Sequence, residues 1–301
     1  MKILVTGGSG FIGSNVIKRL GGRFSFSNFD IRNNVKDDVR DVARLKKAVQ
    51  GVDGVLHLAA ISRPKWGYEN PHVCLDTNIM GTVNVLEALR VVNLKAWVIF
   101  GSSREVFGGV TTFPIVEKNE RMPLNAYGVS KVAGEDLLKQ YAANYGLRCL
   151  TVRFCGVYTG IGDIMDRVIP RFIRQALRNE AITIEGNGKQ KIGDYVYIDN
   201  VVDGLDRAIR FVCSKQKSFY DDINFVADDP ISLYDLARLV ARLSGSKSRI
   251  TKISDRSYDT KGFWGSYAKA RRVLGWKPRI SLEQGLTRSI KELRPYLTPT
   301  P

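Results

Sequence analysis

Residues 2–20 read KILVTGGSGFIGSNVIKRL, and this stretch decides the fold. A short apolar run leads into three glycines, Gly7, Gly10 and Gly13, at G-x-x-G-x-x-G spacing; FIGSNVIKRL then sets apolar residues at helical intervals. Glycines at that spacing allow a tight turn and let the backbone approach a diphosphate, which would sit on the helix N-terminus. Three glycines alone are a weak signal. Between a strand and a helix they become a specific one, and Phe11 and Ile12 belong to the same turn.

Working outward, FSFSNFD reads as a second strand ending in Asp30, 17 residues beyond Gly13. A carboxylate there can accept hydrogen bonds from adenosine ribose hydroxyls and would repel a 2′-phosphate, so NAD is favoured over NADP. Arg32, two residues on, is the opposing consideration. Asp41 and Val42, in DDVRDV, stand where a loop could meet the adenine; Asp41 could equally cap the helix VARLKKAV.

GVLHLAA, AWVIFGSS and RCLTVRF are further continuous apolar strands. Helices from Pro71 to Arg90 and over NAYGVSKVAGEDLLKQYAANYG separate them. Buried strands alternating with helices predict an α/β fold with a doubly wound parallel sheet. After Gly156 the pattern changes: IMDRVIPRFIRQALRN reads as a helix, AITIEG as a short strand and GNGKQKIG as a polar loop. The division predicted is a dinucleotide-binding domain over 1–156 and a smaller C-terminal substrate-binding lobe over 157–301. A segment near 194–226 is expected to return to the main sheet.

With 44% hydrophobic and 25% charged residues among 301, the chain can bury a sizeable core. No apolar run approaches the ~20 residues needed to span a bilayer. Glycine also interrupts the N-terminus too early for a signal-peptide core, so a cytoplasmic location is expected. Cys74, Cys149, Cys155 and Cys213 form no C-x-x-C pair, and His57 and His72 are the only histidines, which argues against a metal site. His57 reads as a satisfied core histidine. The net charge of +16 raises nucleic-acid binding, but the basic residues are spread along the chain rather than gathered in a block, which argues for an anionic small molecule instead.

Tyr127 and Lys131 stand four apart in NAYGVSK, hence on one helix face. A phenol is a poor base near neutrality, but an adjacent ammonium and a positive nicotinamide ring favour its phenolate. It could then accept a hydroxyl proton while the same carbon is oxidised. Ser103, at the end of AWVIFGSS, points toward a ligand crevice and could hydrogen-bond the reacting oxygen.

GGSGFIG, HLAA at 57–60, NIMGTVN from Asn78 to Asn84, SSREVFG from Ser102, YGVSK from Tyr127 and LGWKP from Leu274 occur in a familiar order. Together they resemble the extended short-chain dehydrogenase/reductase family, the nucleotide-sugar epimerases and dehydratases, over nearly the whole chain. The resemblance implies a Rossmann sheet, bound NAD, a nucleotide-diphosphate sugar as substrate, and a homodimer. It implies Ser103, Tyr127 and Lys131 as catalytic trio, with Lys131 also on the nicotinamide ribose. Asp30 and Asp41 would hold adenosine, with Val42, Leu58, Ala59 and Ala60 beside the cofactor. Asn78 matches an asparagine that helps hold the site.

Departures from the family pattern fall on the substrate side. Phe107 replaces the tyrosine of V-Y-G, and Gly156 an asparagine that touches substrate phosphate. GKQKIGD has an extra residue and no arginine where the family reads G-x-x-Q-x-R-D. Arg256 matches the arginine of R-P-G-D and is the expected diphosphate ligand, with Lys189 or Lys191 supplying missing charge. Glu105 follows the catalytic serine as in dehydratases and decarboxylases, yet Arg104 stands where dehydratases carry aspartate and could pair with it. The expected activity is 4-epimerisation through a 4-keto sugar; the alternative is 4,6-dehydration or decarboxylation using Glu105. A non-catalytic dinucleotide- or RNA-binding member is the remote alternative.

Overall fold

The computed structural model of the chain describes residues 1–186, 188–254 and 262–297. Five parallel strands come first: β1 (Lys2–Thr6), β2 (Ser25–Phe29), β3 (Gly54–His57), β4 (Trp97–Ser103) and β5 (Arg148–Phe154). A later strand, β10 (Phe219–Phe225), adds to the β5 edge, giving the order β10-β5-β4-β3-β1-β2. The sheet is α/β and Rossmann-like, as the alternation of apolar runs and helices predicts.

Its two faces are covered separately. Ile3 and Val5 point into one core, shared with Val16 of α1 (Phe11–Leu20) and Leu205 of α8 (Ile198–Cys213). Leu4 points into the other, with Leu45 of α2 (Val42–Ala48), Leu86 of α5 (Gly81–Val92) and Leu138 of α6 (Ala126–Tyr145). Alternation along a strand feeds both layers, which is why these strands read as unbroken apolar runs. A short α3 (Pro64–Glu69) comes first, and the helix expected from Pro71 is built as α4 (Pro71–Leu75), a π-helical turn at Asp76–Met80, and α5.

Beyond β5 the chain forms paired short strands. β6 (Gly156–Tyr158) lies parallel to β9 (Tyr195–Tyr197), β7 (Ile182–Glu185) parallel to β12 (Ile250–Ile253), and β8 (Ile192–Gly193) antiparallel to β11 (Ile231–Ser232). Helices α7 (Val168–Leu177), α9 (Leu233–Ser244) and α11 (Leu282–Leu297) pack with them, while α10 (Ala268–Leu274) leans on β10 and α8. Trp276 of the LGWKP motif stacks on Phe225 at 4.6 Å and donates to the Asn200 carbonyl at 2.9 Å. That motif fastens the tail to the sheet.

Candidate active site

The strand order reverses at β1 and β3, and a ligand crevice opens beyond the carboxyl ends there. Gly7 has φ +72°, and a Cβ on it would lie 2.6 Å from the Ala59 nitrogen; on Gly13 it would lie 2.4 Å from the Gly7 oxygen. The turn therefore tolerates no side chain at either place. Gly10 donates to the Gly7 oxygen at 2.9 Å and caps α1 with no side chain of its own, leaving the first amides of the helix facing a cavity. At the end of β2, Asp30 accepts from the amides of Ser9 (3.0 Å) and Arg32 (2.8 Å), which fixes its carboxylate beside the turn.

One cavity of about 980 Å³ runs from this turn to the C-terminal lobe. Gly7, Gly10, Phe11, Ile12, Gly13 and Asp30 line it at one end. Leu58, Ala59 and Ala60 line its wall. Ser103, Glu105, Tyr127 and Lys131 line its centre, and Lys191 its far side.

Three expected positions, Asp41, Val42 and Lys189, do not line this cavity. Asp41 accepts from the Arg44 amide at 3.0 Å and caps α2, and neither it nor Val42 lines the cavity. The lining residues are Asp38 and Val39, three positions earlier, held because Asn84 donates to the carbonyls of Val39 (3.1 Å) and Arg40 (2.9 Å). The buried valine between charges in DDVRD is the signal that could have found them. Asn78 lies behind the cleft: it accepts from the Ile61 amide at 2.8 Å and donates to the Ile61 carbonyl and to Ser130 Oγ at 2.9 Å. It ties the loop after β3 to α6. Lys189 is exposed, its ammonium 5.6 Å from the Tyr234 ring and outside the cavity lining. Arg256 lies outside the described residues.

At the centre, β4 delivers Ser103 and α6 delivers Tyr127 and Lys131. Asn125 caps α6 by accepting from the Gly128 amide at 2.9 Å, so the helix begins just before Tyr127. Ser103 Oγ accepts from the Glu105 amide at 3.2 Å and lines the cavity beside Tyr127. Lys131 Nζ donates to the Gly101 carbonyl at 2.7 Å and lies 5.8 Å from the Tyr127 ring centre. Burial raises the Tyr127 phenol above its ordinary value, while Ser103 and Arg167 act to lower it. Burial also lowers Lys131 to about 8. Both shifts mark a dry site.

Glu105 is held in the cleft by Asn125 Nδ2 at 3.2 Å and Arg104 Nε at 3.4 Å. His57 is a core group, lowered to about 3 by burial and the Lys131 charge. Thr82 uses its own proton on the Asn78 carbonyl (2.7 Å), so neutral His57 donates from Nε2 to Thr82 and accepts from Thr6 at Nδ1. Among the described residues no cluster of three or more His, Cys, Asp or Glu could hold a metal ion.

The C-terminal side holds what the sequence did not reveal. A Cβ on Gly156 would lie 2.6 Å from Tyr195 Cδ1, and one on Gly193 would lie 2.5 Å from the Tyr195 hydroxyl oxygen. The Tyr195 ring thus fills the space beside both glycines. Arg167 and Arg171 also line the cavity, the latter paired with Glu185 at 2.9 Å. Their i, i+4 spacing at the start of α7 was the available signal.

Comparison with known proteins agrees with this arrangement. The chain is 31% identical to the UDP-glucuronate 4-epimerase of Thermodesulfobacterium geofontis over 84% of its own length and 76% of that protein's. It is 27% identical to UDP-glucuronic acid decarboxylase 3 of Arabidopsis thaliana, over 95% of this chain and 87% of that one. Its fold superposes on the crystal structure of UDP-glucose 4-epimerase from Thermotoga maritima with a TM-score of 0.89, 28% identity, and coverage of 99% and 100%. The family model described as the NAD-dependent epimerase/dehydratase family matches residues 3–223, and with the glycine turn, Asp30 and the Ser103–Tyr127–Lys131 group on one cavity, the chain belongs to that family.

Proposed function

We propose that this protein is a NAD-dependent nucleotide-sugar 4-epimerase acting on a UDP-sugar, with Ser103, Tyr127 and Lys131 at the reacting carbon. The observation that carries this reading is the single cavity joining the glycine turn and Asp30 to Ser103, Tyr127 and Lys131. The residues fit the cofactor: the turn accepts no Cβ at Gly7 or Gly13, and amide hydrogen bonds fix the Asp30 carboxylate beside it. Asp30 would hold the adenosine ribose, the α1 amides the diphosphate, Asp38 and Val39 the adenine, and Lys131 the nicotinamide ribose. When bound, the dinucleotide supplies a ring that accepts and returns a hydride.

The chain's own residues handle the proton. The Ser103 hydroxyl, its oxygen occupied by the Glu105 amide, is free to donate to Tyr127 and lowers the cost of its phenolate. Lys131, anchored on the Gly101 carbonyl, holds a positive charge beside the same ring. Tyr127 thus accepts the proton of the sugar 4-hydroxyl as that carbon becomes a ketone, and returns it when the carbon is reduced from its opposite face. Incubation with a panel of nucleotide sugars, followed by NMR of the products, tests the reading: inversion at the fourth carbon is expected, and loss of water or carbon dioxide would replace it.

That second outcome is favoured by one observation, the buried Glu105 carboxylate in the cleft, and by the decarboxylase among the relatives. A twofold homodimer through α5 and α6 belongs to the same proposal, supported by exposed Met80, Val91, Val92, Val129 and Tyr145 on this side of the molecule. So does a cytoplasmic location, supported by four unpaired cysteines; no helix among the described residues is long and apolar enough to cross a membrane.

A further inference from the structure

Between β6 and α7 the chain reads TGIGDIMDR, residues 159–167, and this strap bridges the cleft. Asp163 organises it from inside, accepting from the amides of Thr159 (3.1 Å) and Ile164 (2.7 Å) and from Arg167 Nη1 (3.1 Å). One end is tied to α11, where Glu292 accepts from the Ile161 amide at 3.3 Å. The other reaches the dinucleotide side, where Asp166 meets Arg63 of the loop after β3 at 2.6 Å.

The strap carries Arg167 into the cleft. Its guanidinium carbon lies 5.6 Å from the ring centre of Phe11, the first residue of α1. Arg167 lines the same cavity as Tyr127 and Tyr195, and its charge opposes the rise that burial imposes on both phenols. Asp163 engages only Nη1; Nε and Nη2 make no hydrogen bond among the described residues, and the side chain is 29% exposed on the cavity wall. A planar cation with spare donors matches the oxygens of a phosphate. The family's asparagine and arginine are missing at Gly156 and in the loop ending at Gly193, and the Tyr195 ring occupies the room beside both glycines. Arg256, the expected ligand, lies outside the described residues, and of the described cations that the C-terminal lobe brings to the cavity, Arg167 is the one beside the glycine turn.

We propose that Arg167 is a diphosphate-binding residue of this cleft, delivered by the strap over the start of α1. Two ligands bring a diphosphate here, the dinucleotide and the nucleotide sugar; only the second rests on the function proposed above. The test is calorimetric, titrating NAD into dinucleotide-stripped protein and UDP into NAD-saturated protein. Arg167→Met should weaken at least one of these at least tenfold, with Arg167→Lys recovering part of the loss. The unfolding midpoint of the unliganded variant should stay within about 2 °C of the parent, and Arg167→Gln stands in should the methionine variant fail to fold. Loss in the NAD titration assigns Arg167 to the dinucleotide, and loss in the UDP titration assigns it to the substrate. Affinities within twofold of the parent in both titrations would overturn the assignment alone. A parent chain that binds neither ligand would overturn it together with the nucleotide-sugar reading.

Discussion

The glycine turn at residues 7–13 and the segment from Gly156 to Tyr195 wall the same cleft, but they are built on different principles. In the turn, Gly13 is excluded from having a Cβ by the Gly7 oxygen six residues away, a collision made by backbone alone. At Gly156 the nearest obstacle is a side chain, Tyr195, arriving from a different strand, with the Asp194 carbonyl oxygen next at 3.0 Å. Backbone collisions leave a fixed signature in sequence, because only glycine resolves them. Side-chain collisions can be resolved by changing either partner, so the family's pattern drifts there without losing the site. The half of the cleft around the glycine turn, the cofactor half of the proposal above, is thus shaped by backbone, and the half around Gly156 chiefly by a side chain.

The chemical centre lies between the two halves, and it carries the largest expected effect. Tyr127→Phe keeps the ring in its buried place and removes the proton acceptor. Turnover should fall by roughly 10²–10⁴-fold, with NAD affinity within twofold of the parent by calorimetry. A variant retaining a tenth of the activity would detach Tyr127 from the chemistry and leave the centre undefined.

The contrast between the halves is tested directly by placing one methyl group in each. Gly13→Ala should cost on the order of 3 kcal/mol in denaturant unfolding and abolish measurable NAD binding, since neither the Gly7 oxygen nor the Gly8 backbone can retreat. Gly156→Ala should cost about 1 kcal/mol or less, and much of that should vanish when Tyr195→Ala is combined with it. Equal costs at the two positions, or an additive double variant, would show that Tyr195 cannot yield and that the two glycines do not differ in kind.

The same difference governs which parts of the molecule are legible in the amino-acid sequence. The doubly wound sheet is legible because strands such as GVLH and WVIFGSS are buried on both faces and so read as unbroken apolar runs. The glycine turn, Asp30 and the Ser103–Tyr127–Lys131 group are legible because each stands at the end of such a strand or at one helix spacing. Asp38 and Val39 hide behind Asp41 and Val42 because two Asp–Val pairs lie three residues apart, and only the capping bond to Arg44 separates their roles. Asn78 is legible as a residue that helps hold the site, but its partners, Ile61 and Ser130, come together only through folding. For Arg167 the sequence offers only its spacing from Arg171; its neighbour Phe11 is 156 residues away along the chain and 5.6 Å away in space.

Within the cofactor half, a smaller effect sharpens the picture. Asp30 presents a carboxylate beside Arg32, with Arg32 Nε 3.6 Å from it. The ion pair ties up the cation that a 2′-phosphate would need, so NAD should bind at least tenfold more tightly than NADP, about 1.4 kcal/mol. Asp30→Asn should erase most of that margin. Equal binding of the two dinucleotides by the parent protein would mean that Arg32, not Asp30, governs the pocket.

The smallest expected effect concerns Glu105, and it decides between the two activities the centre could support. Both begin with oxidation at the sugar's fourth carbon, so loss of Tyr127 cannot separate them. Dehydration then removes the hydrogen on the fifth carbon, whereas 4-epimerisation never touches it. Glu105 lines the same cavity as Tyr127, but its oxygens are already engaged: Arg104 Nε lies 3.4 Å from Oε1 and Asn125 Nδ2 donates to Oε2 at 3.2 Å. Asn125 is also the cap that starts the helix bearing Tyr127, so Glu105 has a structural task in aligning the catalytic tyrosine. A residue with that task should tolerate an amide, which keeps the shape and the oxygen facing Asn125. Glu105→Gln should therefore lose less than tenfold in rate, below about 1.4 kcal/mol of barrier, and turnover in deuterated water should leave the carbon-bound hydrogens of the sugar unexchanged. Deuterium at the fifth carbon with loss of the 6-hydroxyl would make Glu105 the base and the protein a dehydratase.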